Sequence, residues 1–383
     1  MEALGIVDKG FEDIALMEIE ELIGAKGKQR KGCVLFETKK TEDLARLCYR
    51  SQSLNRVVLL ISKFNVNDNL LKKAKEEIEK ADLSKWLGKD TTFSVRCIKD
   101  NDDFSGQEIE SEFGEFIVNN IEKTQKRRQK ADLKNPDVQF LAYLNEDSCF
   151  FGVDFAGFDL GKRQYKIFMH SASLRGTLAY SLMRLSGFSK EKKLLDPFCG
   201  SGTIPIEAAL FASGFPVQYY TKEKLAFNKL KCFSKEDFKK IFKDGKNEDK
   251  HNGKTEVIGH DTAMKYVQYS KKNAKIAGID KLMKFSRVSA EDLDIKYGTE
   301  IDCIATQPPL MSKLLNRKDL EKVYKELFYQ ADFILKKDGK MAVLTNDPEA
   351  MKSQYEQYNF REDSSRAVAY GNNSFTILVL RKK

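Results

Sequence analysis

In the first 65 residues, short apolar runs alternate with apolar residues at helical spacing. Apolar runs at 4–7, 33–36 and 57–61 predict three strands. Apolar residues three or four positions apart predict helices over 13–23 and 42–48, the second with Thr41 as its N-cap. The basic stretch 26–31 predicts a turn. The order β-α-β-α-β is typical of a small ferredoxin-like α+β module, to which we assign residues 1–65.

A second α+β pattern begins near Asn67, and we assign it residues 66–166. Helices are predicted over 70–81 and 107–122, and Ser105 followed by Glu108 is typical of a capping box at the second. Three strands are predicted, over residues 92–98, 138–144 and 148–154.

The remaining chain, residues 167–383, alternates helices with strands, which indicates a parallel, doubly wound sheet that ends in antiparallel strands. Helices are predicted over 174–185, 203–213, 267–277 and 320–335, and strands over 193–195, 257–260, 285–289, 301–305, 340–344 and 375–380. Residues 219–253 interrupt the alternation with a lysine-rich insert that also holds several aromatic residues, and we expect a helical surface elaboration there.

Composition narrows the classes of function. Lys and Arg number 66 against 57 Asp and Glu, and this surplus of +9 favours a polyanionic partner. Apolar runs such as Val57–Ile61 fall far short of the roughly 18 residues that a membrane span needs. Met1–Gly10 has no apolar core of a signal peptide. Seven scattered cysteines without a C-x-x-C pair, with three histidines, argue against a disulfide scaffold or metal site and fit a reducing cytoplasm.

The most informative segment is a glycine loop between a strand and a helix. The strand ends in Asp196, and Gly200 and Gly202 follow before the helix. The third glycine of a dinucleotide motif would fall at Pro205, and no G-K-[ST] of a P-loop follows. A carboxylate there would repel a pyrophosphate but suits an ammonium group, which S-adenosylmethionine (SAM) carries. Asp261 ends the next strand, where a carboxylate can accept both hydroxyls of a ribose.

Several motifs resemble those of one family. Asp196–Glu207 (Asp-Pro-Phe-Cys-Gly-Ser-Gly-Thr-Ile-Pro-Ile-Glu) resembles the first motif of the class I SAM-dependent methyltransferases of the THUMP RNA-methylase group. Gly259–Asp261 with Asn273–Gly278 resembles the second motif. Residues 170–179 resemble the group's extra motif, with Gly176 where proline is usual. The THUMP domain itself is resembled by residues 132–137, 151–154 and 160–165.

The resemblance covers nearly the whole chain and is greatest to the tRNA guanine-N2 methyltransferases of the acceptor stem. It implies ferredoxin-like and THUMP α+β modules that bind the tRNA end, followed by an α/β Rossmann-like class I methyltransferase domain. It implies SAM as cofactor, held by Thr177, Asp196, Pro197, Phe198, Cys199, Gly200, Gly202, Thr203, Asp261, Thr262, Ser289 and Ala290.

The resemblance also implies a catalytic loop after the fourth strand, where the family usually reads Asn/Asp-Pro-Pro-Tyr/Phe. This chain reads Gln307, Pro308, Pro309 and Leu310. In the family a side-chain carbonyl and a backbone carbonyl orient the guanine amine, and the aromatic residue stacks on the base. Gln307 is one methylene longer and Leu310 has no ring. Ser289 stands where the family has an aspartate toward the adenine.

Basic residues outside these motifs are candidates for RNA contact: Lys126, Arg127, Arg128, Lys162 and Arg163. The run 26–31 is a further candidate, and a solvated helix end or turn explains each run equally well. The expected protein is a cytoplasmic monomer that acts on tRNA. Three alternatives stay open: an RNA-binding protein with an inactive methyltransferase fold, a methyltransferase for another RNA base or ribosomal RNA, and a DNA amino-methyltransferase.

Overall fold

A computed structural model describes residues 1–66, 69–99, 105–243, 256–312, 315–370 and 373–383. The chain divides into two compact units. The first comprises Met1–Asp8, Ala15–Leu160 and Gln218–Asp244, and the second Lys9–Ile14, Gly161–Val217 and Gly245–Lys383. Within the described ranges, no helix has the length and apolar character to cross a bilayer.

The elements up to residue 154 are those of an α+β fold. They are β1 (Glu2–Val7), α1 (Glu12–Ile23), β2 (Gly27–Arg30), β3 (Cys33–Glu37), α2 (Thr41–Arg50), β4 (Leu54–Asn65), α3 (Leu70–Lys80), β5 (Thr92–Lys99), α4 (Gly106–Gln125), β6 (Lys130–Ala131), β7 (Val138–Asn145) and β8 (Ser148–Asp154).

The elements after residue 166 alternate as predicted. They are α5 (Gly176–Leu185), β9 (Lys193–Asp196), α6 (Thr203–Ser213), α7 (Lys235–Ile241), β10 (Glu256–Asp261), α8 (Met264–Ala277), β11 (Met283–Arg287), α9 (Leu293–Lys296), β12 (Ile301–Thr306), α10 (Arg317–Ile334), β13 (Leu335–Thr345), α11 (Pro348–Tyr355), β14 (Phe360–Tyr370) and β15 (Asn373–Lys382). Short 3-10 helices cover Tyr219–Lys224, Ala226–Lys229, Asp280–Leu282 and Ala290–Asp292.

The sheet of the first unit has eight strands in the order β2-β3-β1-β4-β8-β7-β5-β6. Strand β4 is longer than predicted and pairs antiparallel with β8, from Val58 opposite Asp154 to Asn65 opposite Ser148. The predicted ferredoxin-like and THUMP modules therefore share one continuous sheet. Pairing gives the backbone groups of β4 partners that an exposed edge would lack. The predicted start of the second module, near Asn67, lies outside the described residues.

Two local expectations for this unit are wrong, and one is confirmed. Residues 27–30 of the predicted basic turn form β2, which pairs with β3. The N-cap of α2 is Lys40, without a side-chain cap, so Thr41 does not cap it. Ser105 does cap α4, since its hydroxyl accepts the Glu108 N–H at 3.4 Å. The alternating periodicity of β2 is weak because three of its four residues are exposed.

The described part of the lysine-rich insert packs into the first unit. Ser234 and Asp237 form a capping box at the start of α7. Phe227, Phe233 and Ile241 are buried within the same apolar core as the strands of the first unit. The insert is therefore a core component, contrary to the expected surface elaboration, because its aromatic residues bury large apolar areas.

The sheet of the second unit has seven strands in the order β11-β10-β9-β12-β13-β15-β14. The first five are parallel, and β15 pairs antiparallel with both β13 and β14. Leu194 and Leu195 on β9 are both fully buried, so both faces of the central strand are covered. The predicted α/β Rossmann-like fold is confirmed. Helix α11 and strand β14 were not predicted, and β11 ends at Arg287, which leaves Ser289 beyond the strand.

Candidate active site

A cavity of about 680 Å³ lies at the carboxyl ends of β9, β10 and β12 in the second unit. The order of strands reverses between β9 and β12, and ligands of open α/β sheets bind at such a switch point. The cavity brings together most of the residues predicted to bind SAM and all four predicted catalytic residues. The predicted residues that line it are Asp196, Phe198, Cys199, Gly200, Thr203, Asp261, Thr262, Ser289, Ala290, Gln307, Pro308, Pro309 and Leu310.

Asp196 is a buried carboxyl without a cationic partner in the part of the chain that the structure describes. Its Oδ1 accepts the Thr306 hydroxyl at 2.7 Å and the Phe198 N–H at 3.1 Å. Burial raises the pKa of Asp196 to about 7, against the lowering effect of these two hydrogen bonds. The site is therefore short of one positive charge, which an ammonium group would supply.

Asp261, the last residue of β10, is hydrogen-bonded to the glycine loop. Its Oδ2 accepts the Gly200 N–H at 3.1 Å, and its Oδ1 accepts the Ala263 N–H at 2.8 Å. These bonds fix the carboxylate at the cavity wall, and each oxygen keeps a lone pair for a ligand hydroxyl.

The glycine loop is shaped by close packing at Gly202. Its φ is +84°, and a Cβ there would lie 2.9 Å from the Ser270 Cβ. Only glycine meets both conditions without displacing α8. Cys199 is buried beneath the same loop, and burial raises the pKa of its thiol far above the usual value. The thiol is therefore not activated as a nucleophile.

The loop after β12 is held at two points that the sequence did not reveal. The Tyr324 hydroxyl donates to the Pro309 carbonyl at 3.1 Å. The Asn346 side chain donates to the Met311 carbonyl and accepts its N–H, both at 3.1 Å. Within the described chain, no donor or acceptor is bonded to the Gln307 amide, so that group is available to a substrate.

Arg163, predicted as an RNA contact, is instead buried in an ion pair with Glu207. Its side chain is fully buried, and its Nε and Nη2 donate to the two carboxylate oxygens of Glu207 at 2.8 and 3.1 Å. The Tyr165 hydroxyl donates to Glu207 at 2.6 Å. A Cβ on Gly176 would lie 2.5 Å from the Arg163 side chain, which gives a physical reason for glycine where the family usually has proline. This network anchors the segment that leads to the cavity wall.

That segment, His170–Ser173, forms one side of the cavity. The Ser173 hydroxyl lies 3.1 Å from the Thr203 hydroxyl and accepts from Ser201 at 3.2 Å. The His170 ring packs edge-on against Tyr266 at 4.4 Å. The segment is thus bonded to the start of α6, where a helix N-terminus favours a carboxylate.

Other predicted residues lie outside this cavity lining. Thr177, Pro197 and Gly202 do not line the cavity, although Thr177 is buried in the first turn of α5. Lys126, Arg128 and Lys162 are exposed. Arg127 is half-buried and donates to the Leu87 carbonyl at 2.6 Å.

Ser289 lies on the cavity wall, and its hydroxyl oxygen already accepts one hydrogen bond from the backbone. It caps a short 3-10 helix by accepting the Glu291 N–H at 3.4 Å. Glu291 also lines the cavity and is exposed, so an acidic side chain is present beside the serine that replaces the family's aspartate. Among the described residues, no cluster of histidine, cysteine or acidic side chains could hold a metal ion.

Comparison with known proteins identifies the class of protein to which this chain belongs. The RMKL-like methyltransferase domain family matches residues 163–374, and the THUMP domain family matches residues 71–154. The chain belongs to the RMKL-like methyltransferase domain family and carries a THUMP domain, and its methyl donor is SAM. It is a class I methyltransferase.

Individual relatives cover nearly the whole chain. It is 28% identical to the tRNA (guanine(6)-N2)-methyltransferase of Methanocaldococcus jannaschii, over 94% of this chain and 95% of that protein. It is 25% identical to the protein of the same name from Archaeoglobus fulgidus, over 97% of this chain and 89% of that one. The fold is shared with SMU.472, whose crystal structure contains SAH, at a TM-score of 0.83 and 19% identity, over 100% of this chain and 98% of that one.

Proposed function

We propose that this methyltransferase transfers a methyl group to the exocyclic N2 amine of a guanosine in the acceptor stem of tRNA. The observation that carries the proposal is one cavity lined by Asp196, Asp261 and Gln307, whose amide has no bonding partner among the residues that the structure describes. The archaeal relatives named for guanine-N2 methylation support the choice of base and RNA.

The residues fit the methyl donor. SAM, when bound, supplies an electrophilic methyl group on a sulfonium. Asp196 suits its ammonium, Asp261 its ribose hydroxyls and the start of α6 its carboxylate. Ser289, Ala290 and Glu291 are the wall residues that suit its adenine.

The catalytic loop acts by orientation. The Gln307 side-chain oxygen and the Pro308 carbonyl accept the two N–H bonds of the guanine amine, so that its lone pair points toward the methyl group. Acceptance of these bonds stabilises the positive charge that develops on nitrogen. Tyr324 and Asn346 hold the loop in place by their bonds to Pro309 and Met311. Leu310 offers the base an apolar contact in place of a stacked ring.

The N-terminal part is assigned to tRNA binding. The proposed domains are residues 1–65 (ferredoxin-like), 66–166 (THUMP) and 167–383 (methyltransferase). Lys126, Arg128 and Lys162 are candidates for phosphate contact, because their charged side chains are exposed to solvent. The proposed protein is a cytoplasmic monomer.

The proposal is tested with unmodified tRNA transcripts and methyl-labelled SAM, followed by nucleoside mass spectrometry. We expect N2-methylguanosine in the acceptor stem, lost when the guanosine at that position is changed. Ribosomal RNA and duplex DNA serve as parallel substrates. A product in either of these alone would overturn the assignment of tRNA. Donor binding without methylation of any of them would leave an inactive methyltransferase fold that binds RNA.

The raised pKa of Asp196 leads to a paired prediction. Asp196→Asn should weaken SAM binding about 10- to 100-fold, because a hydrogen bond to a charged group contributes about 1.5–3 kcal/mol. Titration calorimetry at pH 8 measures this loss. Unchanged affinity would contradict the assigned role.

The same variant should be more stable than the wild type at pH 8. With a folded pKa of about 7 and a lower unfolded value, the wild-type carboxyl stabilises the fold at low pH. It loses that contribution as the pH rises toward 7. The stability advantage of Asp196→Asn should therefore shrink between pH 8 and pH 5 in urea denaturation. An advantage independent of pH would contradict the raised pKa.

A further inference from the structure

Helix α8 has an unusual charge pattern for a surface helix. It carries four lysines and no acidic residue. Helix α10 of the same unit, by contrast, carries four basic and four acidic residues. None of the α8 lysines forms an ion pair with any residue in the described part of the chain. The helix therefore presents uncompensated positive charge to solvent.

Aromatic rings lie between these lysines. The Lys265 Nζ is 5.9 and 5.6 Å from the ring centroids of Tyr266 and Tyr269. The Lys272 Nζ is 4.8 Å from the Phe168 centroid. Phe168 and Tyr269 are 5.5 Å apart, and Tyr266 and Tyr269 are 6.0 Å apart. We call Phe168, Lys265, Tyr266, Tyr269 and Lys272 the α8 surface.

Hydrogen bonds from a buried side chain of α8 hold the α8 surface in place. The buried Asn273 side chain accepts the Phe168 N–H at 3.1 Å and donates to the Phe168 carbonyl at 2.7 Å. It also donates to the Ser201 carbonyl of the glycine loop at 3.0 Å. Asn273 therefore fixes Phe168 against α8 and also contacts the glycine loop. On either side of it, Ile167 and Met169 are more than 60% exposed.

The surface is continuous with the active-site cavity. Helix α8 begins three residues after Asp261, and Tyr266 belongs to both the α8 surface and the cavity wall. Phe168, Tyr266 and Tyr269 are each partly exposed. Positive charge interleaved with partly exposed rings is the pattern with which proteins hold unpaired nucleic acid, with lysines on phosphates and rings on bases. A helix face without acids suits a polyanion.

We propose that the α8 surface binds the RNA strand that flanks the target nucleotide after that nucleotide has left its helix. Lys265 and Lys272 contact phosphates, and Tyr266, Tyr269 and Phe168 offer faces to adjoining bases. This inference rests on the proposed function, and it assigns to the methyltransferase unit a strand-holding role separate from the N-terminal modules. Extruding a base costs stacking energy, which contacts to the neighbouring nucleotides offset.

The charge part is tested with the full-length double variant Lys265→Ala/Lys272→Ala. The matched control is Lys281→Ala/Lys337→Ala, which removes two exposed lysines near the amino ends of β11 and β13, opposite the cavity, that form no ion pair within the described ranges. Affinity for a tRNA transcript is measured by fluorescence anisotropy at several salt concentrations. The slope of log K against log salt should become shallower by about 1.4–1.8 in the first variant, because two phosphate contacts are lost. In the control, the slope should change by less than half of the amount expected for one phosphate contact. Equal slopes in both variants would overturn the proposal.

The stacking part is tested at Tyr269, which does not line the cavity. Tyr269→Leu should raise the Kd for tRNA at least about 5-fold, whereas Tyr269→Phe should stay within about 2-fold, because only the ring is needed. SAH binding by calorimetry should be unchanged in both and shows that the fold is intact. Equal RNA affinity of the leucine and phenylalanine variants would overturn the role of the ring. These binding readouts do not require methylation, so they fail independently of the proposed activity.

Discussion

Gln307→Ala is expected to lower kcat for tRNA methylation about 100- to 1,000-fold, the usual cost of removing one oriented hydrogen-bonding group from a transition state. The Gln307 amide has no partner within the described chain, so the variant leaves no protein group unsatisfied. SAM affinity should change less than about 2-fold, because the residues proposed to bind SAM, Asp196 and Asp261, lie at the ends of other strands. Single-turnover kinetics with saturating tRNA, beside calorimetry with SAM, separates the two quantities.

Gln307→Asn provides the control for this prediction. The shorter amide restores the residue type that the family motif usually has, and it withdraws the carbonyl by about 1.5 Å. We expect it to retain more activity than the alanine variant, with a rate that shows whether the loop is set for the longer side chain. A fully active Gln307→Ala enzyme would show that the loop after β12 is not the catalytic loop.

Arg163→Met is expected to lower the free energy of unfolding by about 3–5 kcal/mol, because it leaves the Glu207 carboxylate buried without its partner. Both side chains are fully buried, and their two hydrogen bonds are 2.8 and 3.1 Å long. Urea denaturation at pH 7.5 measures the loss, which is far larger than for a phosphate-binding surface arginine.

The matched control is the double variant Arg163→Met/Glu207→Leu. It removes both charges, and it should recover most of the lost stability because no unpaired charge remains. Lys162→Met, one residue away but exposed, should change stability by less than about 0.5 kcal/mol. Equal small losses in all three variants would contradict the buried ion pair.

The glycine loop shows how far local patterns reach. Asp196 and Asp261 were identified because each follows an apolar strand, and parallel strands end at one edge of a sheet. The resemblance to the methyltransferase family, rather than this reasoning, pointed to Gln307 at the end of β12. Strands β9, β10 and β12 are hydrogen-bonded neighbours, so these residues meet in one cavity.

Residues whose role depends on distant partners escaped that reasoning. Arg163 reads as a surface cation because its partner Glu207 is 44 residues away. Tyr324 and Asn346, which hold the loop after β12, carry no local signal of that role. The insert after residue 218 reads as polar, yet Phe227 and Phe233 fill the core of the first unit.

The sequence by itself determined the class of fold, the order of most elements and the positions of the loops proposed to bind the methyl donor and to act in catalysis. Apolar periodicity, glycine and proline influence the backbone over a few residues, and the positions of helices, strands and loops follow from such short-range effects. Only the tertiary structure decided that the two N-terminal modules share a sheet, that Arg163 is buried and that Asp196 has no counter-charge among the described residues. Burial and ion pairing depend on residues far apart in the chain, and the pKa of a carboxyl follows from what surrounds it after folding.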